Sequence, residues 1–292
     1  MIMKKKSNVI ESIVHGVFLS LGLITVCCVL LITVYLAVSG IPAILEIGLW
    51  DFLLGDTWES TAADPRYGIL PFILTSIYGT AGAIILGVPI GFLTALYLAK
   101  LASPKVKEIM GQAVSMLAGI PSVVYGLVGM MVLVPGIRKL FHVSDGASLL
   151  AAIIVLAIMI LPSIIKMSVT ALEAVPKEYE DASLALGATA EETYIRVSVP
   201  AARSGIAAAV VLGVGRAIGE SMAVMMVAGN AANMPDSLFQ SVKFLTTAIA
   251  SEMAYSSGLQ RQALFSIALV LFVFIMLINA VVNCILKGER SK

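Results

Sequence analysis

The sequence predicts an all-α membrane protein of six transmembrane helices, and three observations carry that expectation. The 292 residues are 59% hydrophobic and only 13% charged, against about 25% charged in a soluble domain. Six apolar stretches reach the ~20 residues that a helix needs to cross the hydrocarbon core; they lie near 14–38, 70–99, 113–135, 148–171, 204–228 and 263–286. The lysines and arginines between these stretches alternate between rich and poor segments, as a spanning topology requires.

Residues 1–13 form a short polar terminus in which Lys4, Lys5 and Lys6 precede the first span, as in a signal peptide. The apolar run that follows is too long for a signal core, and "LAVSGIPA" is a poor cleavage site, so an uncleaved helix is expected. With the amino terminus cytoplasmic, the inside segments hold Lys4, Lys5, Lys6, Lys100, Lys105, Lys107, Lys177, Arg196, Arg203, Lys287, Arg290 and Lys292. The outside loops hold Arg66, Arg138, Lys139, Lys243 and Arg261, so twelve cations against five put both termini inside. Glu46, Asp51, Asp56, Glu59 and Asp64 in the first outer loop agree with this, whereas Arg138 and Lys139 run against it.

The middle spans carry helix breakers: Pro89 in the second, "GIPS" (119–122) in the third and Pro162 in the fourth. Membrane helices tolerate these as kinks, because neighbouring helices re-satisfy the freed backbone groups. In the fifth span, Gly205, Ala209, Gly213 and Ala217 recur every four residues. Such a ridge of small residues lets another helix approach closely, which makes this span central in the bundle and a candidate pathway wall.

Between the fourth and fifth spans, the loop 173–203 is too long for a turn and too apolar for a disordered linker. Pro176 opens a helix whose first turns hold Glu178, Glu180 and Asp181, where the helix dipole favours anions. Tyr179, Ala182, Ala185 and Leu186 share one face, and Gly187 is a natural left-handed stop. Thr189 with Glu192 then forms a capping box that opens a second helix, which Pro200 ends. The pair either lies flat on the bilayer or docks on a protein. Its polar face carries more acid than base, which anionic lipid repels, so a protein partner is expected.

The remaining polar residues limit the chemistry. Cys27, Cys28 and Cys284 lie in apolar runs without metal-ligand spacing, and His15 and His142 sit alone at span edges. No metal, cofactor or catalytic constellation is expected, and a net charge of +1 argues against a nucleic-acid partner. Arg216 and Glu220 stand out, four residues apart in the fifth span. A charge at mid-bilayer costs at least ~2.5 kcal/mol. The two side chains either neutralise each other as an intrahelical ion pair or face a water-accessible path. Lys166 is expected to snorkel to the interface, and the hydroxyls of Ser221 and Thr80 to bond their own helices.

The loop resembles a known family. Permease subunits of ABC importers carry here Glu-Ala-Ala, three residues, Gly, nine residues, Ile, one residue, Leu-Pro. This chain has Asp181-Ala182-Ser183, Gly187, Val197 and Val199-Pro200 at the same spacing. "GIPSVVYGLVG" (119–129), "SLALGAT" (183–189) and "GRAIGESMAVMMVAGN" (215–230) are similar to permeases of the phosphate-specific transport system. The acidic first outer loop with Trp50 and Trp58, followed by "YGILPFI" (67–73), resembles the C type more than the A type.

The resemblance implies a type I ABC importer permease fold, with a coupling helix whose Tyr179, Asp181, Ala182, Ser183, Leu186 and Gly187 meet an ATPase subunit. It also implies two copies of that ATPase, an A-type permease alongside, an extracytoplasmic phosphate-binding protein and phosphate as substrate. No GxxxxGK[ST] motif is present in this chain, so ATP hydrolysis is assigned to the partner. An arginine fits this substrate, because its planar fork donates two parallel hydrogen bonds to an oxyanion. Glu220 would then weaken the grip of Arg216 and accept the proton that phosphate carries and sulfate lacks, with Ser221 beside them. A permease for molybdate, sulfate or phosphonate is the nearest alternative; a secondary transporter without an ATPase is the other.

Overall fold

The computed structural model describes the backbone of residues 2–290 and the side chains of 11 and 14–280. The expectations placed on Lys4, Lys5, Lys6, Cys284, Lys287, Arg290 and Lys292 lie outside the described side chains.

Helix α1 (Ile2–Ile47) is followed at Gly48 by the short α2 (Leu49–Leu54). A two-stranded hairpin comes next, with β1 (Trp58–Glu59) antiparallel to β2 (Arg66–Tyr67). Helix α3 (Leu70–Leu96) runs into a π-helical turn at Tyr97–Leu101, and α4 (Pro104–Gly119) follows. Then come α5 (Ser122–Val128), a second π-helical turn at Gly129–Leu133, α6 (Val134–Phe141) and α7 (Leu149–Glu173). The loop folds as α8 (Lys177–Ala185), α9 (Ala190–Thr193), a third π-helical turn at Tyr194–Ser198 and α10 (Val199–Ala201). Helices α11 (Arg203–Gly219), α12 (Met222–Val227), α13 (Leu245–Glu252) and α14 (Gly258–Arg290) complete the chain.

Among the described residues, five helices are long and apolar enough to cross a membrane alone. Residues 190–201 and 203–219 pass the same test only as a pair, bent by 69°, and make a sixth when the pair is counted as one broken span. The third expected stretch, 113–135, covers a break rather than one straight helix. Helix α4 ends at Gly119 and α5 starts after Pro121, which sits in an extended conformation at φ −60°, ψ 143°.

Helix α7 is the core of the bundle. Ala152, Leu156, Met159, Ile160 and Ile164 on it are all buried. Helix α3 lies against it through glycines: a Cβ on Gly87 would sit 2.7 Å from Ile160, and one on Gly91 2.9 Å from Ile164. Helix α11 uses its small-residue ridge in the same way. Ala209 and Ala217 are buried, and a Cβ on Gly213 would meet Ile164 at 3.1 Å. The expected close approach is therefore real, and α11 packs on α7, α3 and α14.

Helix α1 packs on α14, where Ser266 Oγ donates to the Gly40 carbonyl at 2.6 Å and Tyr35 meets Phe265 edge to face. Residues 14–32 of α1 are exposed, and their apolar side chains suit contact with lipid.

Two polar clusters mark the two ends of the bundle. At one end Lys100 pairs with Glu180, and Lys107 with Glu173. At the other, Glu252 at the end of α13 accepts from Lys243 Nζ at 2.7 Å and from Trp58 Nε1 at 3.2 Å. Ser60 Oγ and Gln260 Nε2 also donate to that carboxylate, each at 3.3 Å. Segments that follow spans two and four thus meet at one end, and those that follow spans one and five meet at the other, as alternating helices require.

Candidate functional site

The fifth span does not continue as one helix through 204–228. Helix α11 stops at Gly219, Glu220 is extended at φ −73°, ψ 130°, and α12 begins after Ser221. Glycine is a poor helix former, and the Glu220 carboxylate favours the break by capping the next helix. Its Oε1 accepts from the Ala223 amide at 3.0 Å. The Glu220 backbone carbonyl accepts from Thr246 Oγ1 at 2.8 Å, which pins the break to the first turn of α13.

This break corrects the expectation that Arg216 and Glu220 share a helix face. Arg216 stays in the last turn of α11, and Glu220 lies beyond its end. Among the described residues no ion pair joins them. The Arg216 guanidinium instead donates from Nη1 to Ser163 Oγ at 3.4 Å, one residue past Pro162 on α7. Both charged side chains are half-buried. On either side of Arg216, a Cβ added to Gly215 or Gly219 would meet no atom within 4 Å. The arginine therefore sits at an open edge of the helix, while the buried ridge faces α7.

The other expected residues fall as follows. Ser221 is half-buried at the start of α12. Thr80 is buried on α3. Lys166 is exposed on α7, three residues past Ser163, in a cleft with Lys107 and Glu173. Sequence reasoning missed Ser163 and Thr246, because each reaches the site from a different helix, 53 and 26 residues from its partner.

The loop folds largely as its local signals require. Thr189 and Glu192 form the capping box, with the Glu192 amide 3.3 Å from Thr189 Oγ1 and the Thr189 amide 3.2 Å from Glu192 Oε2. Gly187 adopts φ +88°, the left-handed stop for α8. The second helix ends at Ala201, one residue past Pro200. Helix α8 buries none of its residues, and Tyr179, Leu184 and Leu186 project apolar surface, Leu186 at 90% exposure. Asp181 and Ala182 are exposed beside them, while Ser183 Oγ lies 2.9 Å from Thr193 Oγ1 and ties α8 to α9.

Glu180 turns the other way. It pairs with Lys100 Nζ and accepts from Ser198 Oγ at 2.7 Å. Burial alone would raise its carboxyl pKa. The hydrogen bonds from Lys100 and Ser198, with the charges of Lys100 and Lys177, outweigh burial and hold it below the usual carboxylate range.

Residues 87–288 match the family described as "Binding-protein-dependent transport system inner membrane component". The chain belongs to this family. The permease is 40% identical over 266 residues to a protein named "Probable ABC transporter permease protein YqgH" from Bacillus subtilis, covering 88% of this chain and 86% of the relative. It is 36% identical over 269 residues to "Phosphate transport system permease protein PstC" from Haemophilus influenzae, with 82% and 84% coverage. It is 32% identical to the protein of the same name from Mesorhizobium japonicum, with 87% and 86% coverage. Two of these three relatives carry the name PstC, the C type that the residue patterns anticipated. The permease of the MetNI methionine ABC transporter superposes with a TM-score of 0.56 at 20% identity, covering 76% of this chain and 94% of that one. That likeness gives the type I importer permease fold, and the family match makes the chain an inner-membrane component.

Proposed function

We propose that the permease forms half of the translocation pathway of an ATP-driven phosphate importer, with Arg216 as the contact for phosphate. The observation that carries this reading is the state of that guanidinium. It is half-buried in a membrane helix, flanked by two open glycine positions and without a carboxylate partner among the described residues. A cation placed in this way needs an anion or water, and a planar fork suits a tetrahedral oxyanion. Ser221 and the Glu220 carboxylate lie at the following break, where Glu220 lowers the affinity for a dianion and so favours release.

The exposed surface of α8 with Tyr179, Asp181 and Ala182, and of the turn after it with Leu186 and Gly187, is the docking surface for a cytoplasmic ATPase dimer, and Ser183 holds it to α9. An A-type permease completes the pathway, and an extracytoplasmic binding protein delivers phosphate. Both termini are then cytoplasmic, together with α8, Lys100 and Lys107. ATP-driven closure of the ATPases pushes α8 inward and turns the bundle outward; phosphate enters and leaves past Arg216 once ATP is spent.

The test is the purified complex reconstituted in liposomes. Phosphate and its binding protein should stimulate ATP hydrolysis and labelled phosphate uptake together, and Arg216→Met should abolish uptake. Equal competition by molybdate, sulfate or phosphonate would transfer the site to another oxyanion. Uptake that survives without ATP would remove the importer mechanism.

A further inference from the structure

Lys177, Glu178 and Asp181 on α8 are exposed to solvent, whereas Glu180 is turned into the protein. The Glu180 and Lys100 side chains are only 17% and 10% exposed. Removing two charges from water is expensive unless they are paired and hydrogen-bonded. Here the carboxylate has both the Lys100 ammonium and the Ser198 hydroxyl. Its partners come from two elements distant in sequence, and each sits in a π-helical turn. Lys100 lies in the turn at Tyr97–Leu101 that ends the α3 span, and the buried Ser198 closes the turn at Tyr194–Ser198 that leads into α10 and α11. Such single π-helical turns are frequent at functional sites. Glu180 thus ties both π-helical turns to one helix, whose Tyr179 and Leu184 are exposed.

We propose that Glu180 is the positioning residue that transmits displacement of α8 to the bundle, through Lys100 to α3 and through Ser198 to α11. The proposal rests on α8 being the ATPase docking surface. The Ser183–Thr193 contact stays within the loop, whereas the Glu180 joint ties α8 to the turns that end the α3 span and lead into α11. With the joint removed, a docked ATPase displaces α8 with less displacement of the helix that carries Arg216. The role is distinct from that of the exposed docking residues, whose loss releases the ATPase; loss of Glu180 leaves the ATPase bound and its work misdirected.

The experiment measures phosphate transported per ATP hydrolysed by the complete reconstituted complex. Glu180→Gln and Lys100→Met should each lower that ratio roughly tenfold, a difference of about 1.4 kcal/mol, while the ATPase still copurifies and hydrolyses. Lys100→Arg should keep the ratio within about twofold. The double variant Glu180→Gln/Lys100→Met should be no worse than either single change, because both remove the same joint. Ser198→Ala removes one hydrogen bond with no change of charge and should lower the ratio severalfold, which gives a reading even where a charge variant fails to assemble. An unchanged ratio in Glu180→Gln, or in Ser198→Ala where Glu180→Gln does not assemble, overturns the proposal. Loss of ATPase copurification in these variants overturns it too, because Glu180 would then belong to the docking surface. If the wild-type complex shows no phosphate-driven hydrolysis, the importer reading has failed instead, and the two failures are told apart by that control.

Discussion

Replacing Glu252 with alanine tests the polar cluster that closes the end of the bundle opposite α8. The carboxylate holds Lys243 at 2.7 Å, with side-chain exposures of 12% for the lysine and 18% for the glutamate. Removing one partner of a buried pair costs about 3–5 kcal/mol, mostly because the other charge is left uncompensated. Water reaches part of this pair, so the low end, about 3 kcal/mol, is the better figure. The Trp58 indole N–H loses its acceptor as well, which adds ~1 kcal/mol. Gln260 and Ser60 keep each other at 3.0 Å and add little. A total of about 3–4 kcal/mol corresponds to a fall in Tm of about 6–8 °C in a chain of this size. Thermal unfolding of the detergent-solubilised permease, followed by tryptophan fluorescence, measures it. Trp58 is the buried tryptophan of the two, so the probe sits inside the perturbed cluster. Lys243→Met combined with Glu252→Gln should recover part of the loss, because the orphaned charge is its main source. A Tm for Glu252→Ala within about 1 °C of wild type would refute the reasoning.

Glu220→Gln keeps an oxygen that caps α12 at Ala223, so stability should hold while phosphate uptake and its discrimination over sulfate change; unchanged transport on both counts would remove the carboxylate from the mechanism. Glu220→Ala also loses the cap and should cost about 1 kcal/mol more in thermal unfolding. Arg216→Lys retains the charge but not the fork, and uptake in liposomes should fall roughly tenfold. Gly187→Val has open space around it but places a β-branched residue at φ +88°; it should cost about 1–2 kcal/mol and separate hydrolysis from uptake. The lowered Glu180 pKa stabilises the folded loop fully above the ordinary carboxylate range, and that contribution is lost as pH falls through the lower, folded value. Hydrogen-exchange protection factors in 177–185, taken relative to the intrinsic rate at each pH, should therefore fall on acidification, and should do so less in Glu180→Gln.

Much of the architecture follows from local signals, and the exceptions share a cause. Apolar stretches located the bundle because membrane burial depends on length and composition. The four-residue ridge from Gly205 to Ala217 seats on α7, because small side chains act wherever two backbones meet. Gly187 and the Thr189–Glu192 box shape the loop, because their hydrogen bonds close within four residues. Apolar content cannot show where a span is interrupted, however. "GIPS" marked the break before α5, whereas the one before α12 had only Gly219 and a carboxylate as its signal. The pairs Lys100–Glu180 and Trp58–Glu252 join residues 80 and 194 positions apart, and nothing local to either partner reveals them.

The end of α11 at Gly219 has an electrostatic consequence of its own. A helix terminus whose last carbonyls lack amide partners carries roughly half a negative charge. Arg216 lies in that last turn, so part of its positive field is already balanced by the backbone it grows from. With Arg216 as the proposed phosphate contact, an arriving dianion meets about half a unit of net charge rather than one, even before Glu220 is counted. On that proposed reading, weak retention of the transported ion follows from where the helix stops, and a variant that extended α11 through 219–221 should tighten the hold on phosphate and slow its exit.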